Sequence, residues 1–209
     1  MTTAEHYASE LLADWRASII SCLAKYDTSR IVELRPDLLS FLGTNDLLAG
    51  GADDAAIRSA EARLNVDLPD DYIAFIRLVN GWPAAALVPF GNRFLMVEDI
   101  DFYKKLYPEQ FAIWKADADQ LRDLEQVRVY GRDQFPERFC SRHLDSCIGI
   151  TTHEGSGAYV LNPEVRTSTF FEAWWLDFHL PGAMRFPSFF ALLEHEIPRS
   201  VSEIESSLS

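Results

Sequence analysis

Apolar residues recur along this chain at two spacings, and the switch between them divides it into helix-forming and strand-forming regions. Over residues 2–26, Ala8, Leu11, Leu12, Trp15, Ile19, Cys22, Leu23 and Tyr26 fall three or four apart. That is one stripe of a long helix, and a stripe of this length must be buried. Packing on the chain's own domain is the expectation, rather than docking on another chain. Thr2 and Glu5 have the spacing of a capping box at its start. After the break at Arg35-Pro36, the run Leu38, Leu39, Phe41, Leu42 predicts a short helix stopped by Gly43. Ala49-Gly50-Gly51-Ala52 reads as a linker. The division expected from this is an N-terminal helical extension over residues 1–48, packing on a domain of residues 49–209.

The stretch 53–82 is a corner of two helices. Ile57, Ala60 and Leu64 make the first stripe, with Asp53 or Asp54 as cap and Asn65 as a residue able to take the left-handed stop. Pro69 suits the start of the second helix, and Asp70 and Asp71 follow at its positive end. Tyr72, Phe75, Ile76 and Val79 form the second stripe, closed by Asn80-Gly81.

Beyond Trp82 the period changes. Leu87 to Phe90 and Arg93 to Val97 flank Gly91-Asn92, a hairpin signal. A helix is expected at 100–106, and another from Pro108 carrying Phe111, Trp114, Leu121 and Leu124. Strands are expected around Val127 and Val129, then at Cys147 to Thr151, Ala158 to Leu161 and Phe170 to Phe178, with a turn at 153–157. Ser188 caps a last helix with Phe189, Leu192, Leu193 and Ile197 on one face, which Pro198 is expected to end; the final residues are expected to fray. Helices, then closely spaced strands, then a helix is an α+β order. The short connections predict a largely antiparallel sheet, flanked by N-terminal helices and a C-terminal helix.

The ordered features Glu61 and Leu64, Leu68-Pro69, Tyr72 and Asn80-Gly81 resemble the SUKH superfamily, the cell-wall-assembly-regulator type of domain. Ile148-Gly149, the turn at Gly155 to Gly157 and the helix opened by Ser188-Phe189 extend the resemblance over roughly residues 50–197. It implies an α+β domain, usually non-catalytic. In bacteria such domains commonly act as cytoplasmic immunity proteins that bind and neutralise a toxin domain.

Composition sharpens this picture in one respect. The chain has 209 residues and a formal net charge of −13, with an acidic excess in every part of its length. Nucleic acid would be repelled, since affinity for phosphate backbones comes from basic groups. A basic protein partner would be attracted and its encounter accelerated. No apolar run is long enough to span a bilayer and the N-terminus lacks a signal-peptide pattern, so a cytoplasmic protein without a membrane partner is expected. Three cysteines, Cys22, Cys140 and Cys147, do not suggest a disulfide framework.

Chemistry-bearing motifs are sparse. Cys140, His143 and Cys147 have zinc-compatible spacing but no fourth ligand at short range, so no metal is expected. Phosphate-binding glycine loops, H-E-x-x-H and the G-x-S-x-G elbow are absent, and no cofactor is expected. Glu98, Asp99 and Asp101 form a tight acidic group, and Glu154 stands beside His153; a hydrolase using these groups is the least favoured reading. Trp174 and Trp175 are adjacent, so in a strand they point to opposite faces, and one could serve a partner. The expected contact residues are therefore Trp82, Glu98, Asp99, Asp101, Glu154 and Trp175, aromatic anchors among acids. The chain reads as a non-enzymatic binder of a basic toxin domain. A regulatory scaffold domain with an endogenous protein partner is the alternative.

Overall fold

Most helix starts and stops are built by the residues the pattern marks, and the exceptions fall where distant packing overrides local preference. The computed structural model describes residues 2–38, 50–81, 92–118, 130–131, 134, 141–153, 157–177, 179 and 182–209. Helix α1 (Thr3–Leu23) opens with the expected capping box: Glu5 N–H donates to Thr2 Oγ1, and Thr2 N–H to the Glu5 carboxylate. Helix α2 (Thr28–Leu34) follows. Helix α3 (Asp54–Leu64) is capped by Asp53, which accepts from Ala56 N–H at 2.8 Å, and it stops at Asn65 with φ 51° and ψ 42°. Glu61 accepts from Leu68 N–H at 3.0 Å and so ties α3 to the connection that leads into α4 (Asp70–Ile76). Pro69 stands as the cap of α4, just ahead of its first turn.

Gly50, Gly51 and Ala52 are part of this corner and do not behave as a loose tether. Ala52 N–H donates to Ile76 O at 2.8 Å, and Asn80 N–H to Gly50 O at 3.3 Å. A Cβ on Gly51 would lie 1.7 Å from the Arg77 carbonyl oxygen, so only glycine allows this approach.

Among the described residues five strands follow: β1 (Asp101–Phe102), β2 (Ile148–Gly149), β3 (Gly157–Thr167), β4 (Phe170–Asp177) and β5 (Ala183–Phe186). They lie in the order β1-β2-β3-β4-β5, every neighbouring pair antiparallel. The fold is therefore α+β, as expected. The β3–β4 register shifts between Asn162 and Arg166, where Pro163, which has no N–H for a ladder, is accommodated. Neither β1 nor β5 was expected; Asp101 was assigned to a helix, but the helix α5 is only Tyr103–Leu106, followed by α6 (Pro108–Ala118). Residues 93–97 form no continuous strand: Phe94 makes an isolated bridge to Thr151. The expected helix at 38–42, the first arm of the 87–97 hairpin, the 127–129 strand and the 153–157 turn fall wholly or largely outside the described residues.

Both faces of the sheet are covered. On one, Tyr159, Leu161, Ala173 and Trp175 pack with α1, α3, α4 and helix α7 (Phe189–Leu208). On the other, Ala158, Val160, Trp174 and Leu176 meet Tyr103, Trp114, Leu144 and Cys147. The strand alternation that splits the two tryptophans thus sends each into a core.

Helix α7 departs most from expectation. It runs through Pro198 to Leu208, with Ile204 and Leu208 buried. Its end is gripped rather than frayed: Arg30 donates to the Leu208 and Ser209 carbonyls at 3.3 and 3.2 Å, and Lys25 pairs with Glu205. Two cations at a helix C-terminus also suit its dipole. The α1 stripe packs on α4 and α7, and Trp15 Nε1 donates to Ser200 Oγ at 3.2 Å. No described helix is long and apolar enough to cross a membrane.

Candidate protein-contact surface

The acidic turn at 96–101 is held rigid from beneath by one arginine and one asparagine. Asp99 and Ile100 N–H both donate to Met96 O, closing the turn. Arg63, near the end of α3, donates to the carbonyls of Ile100 at 2.5 Å, Glu98 at 3.1 Å and Val97 at 3.3 Å. Asn80, just past α4, accepts from Val97 N–H at 2.8 Å and donates to the Glu98 carboxylate at 3.1 Å. The corner that organises the chain therefore also positions this turn. Glu98 and Asp99 are exposed on it, next to Met96, which is 47% exposed.

Asp101 has a different role from its neighbours. It is almost buried, its Oδ1 accepts from Phe102 N–H, and its Oδ2 pairs with Lys105 and lies 3.6 Å from Arg63. Burial alone would raise its pKa. The Lys105 ammonium, the Phe102 N–H and Arg63 outweigh that and hold the carboxyl below the usual range. Its charge is spent inside the protein. Trp175 is 7% exposed, and the Arg199 guanidinium lies over its ring at 4.2 Å, so it presents little to a partner. Trp82 and Glu154 lie outside the described residues. Of the six expected contact residues, the structure brings Glu98 and Asp99 to the surface together.

His153, considered for catalysis, and His143 and Cys147, considered for a metal, have structural surroundings. His153 packs against both Tyr103 and Tyr107, with ring centroids 6.1 and 5.6 Å away, and burial lowers its pKa. Cys147 is fully buried, and burial pushes its thiol well up, away from the reactive thiolate. Asn162 Nδ2 donates to His143 Nδ1 at 3.1 Å, and His143 Nε2 meets Glu164 at 3.3 Å. Cys140 lies outside the described residues, among which no three His, Cys, Asp or Glu side chains could hold a metal.

Two buried polar networks went unseen in the sequence. Glu172 accepts from Trp174 Nε1 at 2.7 Å and stands 3.6 Å from Arg185, tying β4 to β5. Gln134 then satisfies Arg185 N–H at 2.7 Å and Arg185 O at 3.2 Å, acting as a partner for the β5 edge. Across the sheet, Glu196 accepts from Tyr159 Oη and from Arg199 at 3.2 Å. Each network joins elements far apart in sequence, which is why no local motif announces it.

The family model described as SMI1 / KNR4 family (SUKH-1) matches residues 51–168. No curated protein matches the chain. The matched span holds the α3–α4 corner, Arg63, Asn80, the acidic turn and β1 to β3.

Proposed function

The chain belongs to the SMI1 / KNR4 family (SUKH-1), and on that premise we propose that it is a non-catalytic protein-binding domain that neutralises a basic toxin domain by direct contact. The family includes immunity proteins and related regulators and is generally non-catalytic. The observation that carries the reading furthest is the turn bearing Glu98 and Asp99, exposed yet fixed by Arg63 and Asn80. A preorganised acidic surface avoids the ordering cost that a mobile loop would meet on binding. The net charge of −13 supplies the long-range attraction to a basic surface, and the turn supplies a fixed point of contact. Trp82 directly follows the Asn80-Gly81 pair, and it remains the aromatic we assign to the same contact. Because α1 already buries its stripe on α4 and α7, a scaffold that docks through this helix has less support.

The test is stopped-flow association with the basic toxin domain that this reading expects to be encoded beside this chain's gene. The double variant Glu98→Gln, Asp99→Asn should associate several-fold more slowly at low salt and with a flatter salt dependence. Unchanged rate and unchanged salt dependence would remove the turn from the contact.

A further inference from the structure

A groove of about 600 Å³ opens where the start of α1 crosses α4 and the first turn of α7. Its apolar lining is Tyr7, Ile73, Ala74, Phe170 and Phe190. Tyr7 is 38% exposed, and its ring packs tilted against that of Phe190, with the centroids 5.0 Å apart. The groove combines α4, inside the family-matched span, with segments on either side of it. It exists because α1 is laid against the family core.

The rim is acidic. Glu5 and Asp70 line it, and Arg77 is the cation among the lining residues. Arg77 is already bound by two carboxylates, Glu5 at 3.0 Å and Asp54 at 2.7 Å. Glu194 accepts from the Tyr7 hydroxyl at the far side. Glu5, Asp54, Asp70 and Glu194 thus stand in or beside the groove against the single charge of Arg77, which two of them already hold, and Asp70 is exposed. An apolar trough with this rim is matched by large apolar side chains flanked by cations. A second copy of this acidic chain would bring like charges together, and a nucleic acid would do the same.

We propose that this groove is a docking site for a segment of a partner protein that carries one or two large apolar side chains between lysines or arginines. It is separate from the 98–99 turn and does not depend on the toxin reading.

The probe is a short fluorescein-labelled peptide in which Leu and Phe alternate with Lys, titrated against the full chain by anisotropy. Two control peptides replace Lys by Glu, or Leu and Phe by Ser. The expected result is saturable binding of the first peptide alone, with amide shifts at Ile73, Ala74 and Phe190. Asp70→Asn should weaken it about threefold, the scale of one exposed ion pair. Ile73→Ser should weaken it about tenfold through lost apolar contact. Glu98→Gln with Asp99→Asn should leave it unchanged, which separates this site from the turn. Should Ile73→Ser fail to fold, the amide map on the unaltered protein decides. No saturable binding, equal binding of either control, amide shifts elsewhere, or insensitivity to Asp70→Asn and Ile73→Ser would overturn the proposal. So would uptake of anilinonaphthalene sulfonate in the groove with no peptide bound, which would make it a small-molecule site.

Discussion

Asp71 is fully buried on α4, yet its Oδ2 accepts from the N–H groups of Phe189 and Phe190 at 2.7 and 3.2 Å, opening α7 from 118 residues away. Burial pushes its pKa up to about 6, although four backbone N–H groups, its own among them, pull the other way. The unfolded carboxyl titrates near 4, so folding takes up a proton between about pH 4 and 6. Through this group stability is greatest below that window and falls as pH rises across it, by at most about 3 kcal/mol. Asp71→Asn lacks the titration, so its stability relative to the unaltered protein should improve from about pH 5 to 7.5. Urea midpoints at the two pH values check this, and a constant difference would mean an ordinary carboxylate. Arg63 is the second pivotal side chain. Arg63→Met should cost about 1–3 kcal/mol by leaving three turn carbonyls without their donor. It should also speed hydrogen exchange at Asp99 and Ile100, whose amides close the turn, while the α3 helix amides stay protected.

Among the elements, α7 marks the limit of local reasoning. Pro198 removes the bond to the Glu194 carbonyl, a cost that ends many helices. Here Ile204 and Leu208 bury their side chains beyond it, and Lys25 and Arg30 hold the end. Tertiary packing therefore carries the helix past its own breaker. Pro198→Ala, at an exposed position, should restore the bond and raise stability by about 1–3 kcal/mol, read as a higher thermal midpoint. A lower midpoint would mean that the helix needs a bend there. Caps were legible because their chemistry is local: Thr2 with Glu5, Asp53, Asn65 and Ser188 all stand where their types predict. β1 and β5 were not: β1 is two residues read into the helix that follows it, and β5 is four residues with too little alternation to register. Asp71 was read as a dipole-favoured acid of α4, because its real partners lie in another element.

At the scale of the molecule, the two-faced sheet settles what the pair Trp174-Trp175 left open. Alternation sends them apart, and only the tertiary arrangement reveals that α5 and α6 cover the second face. The same limit applies to the contact surface. Sequence grouped Glu98, Asp99 and Asp101 by proximity, and folding separated two surface acids from one neutralised by Lys105 and Arg63. The most direct measurement is titration, with this protein, of the activity of the toxin domain that the proposal expects a neighbouring gene to encode. Complete loss of that activity is expected at one equivalent, with a stable complex of the two chains recovered by size-exclusion chromatography. Undiminished activity in large excess, with the two chains eluting separately, would contradict it.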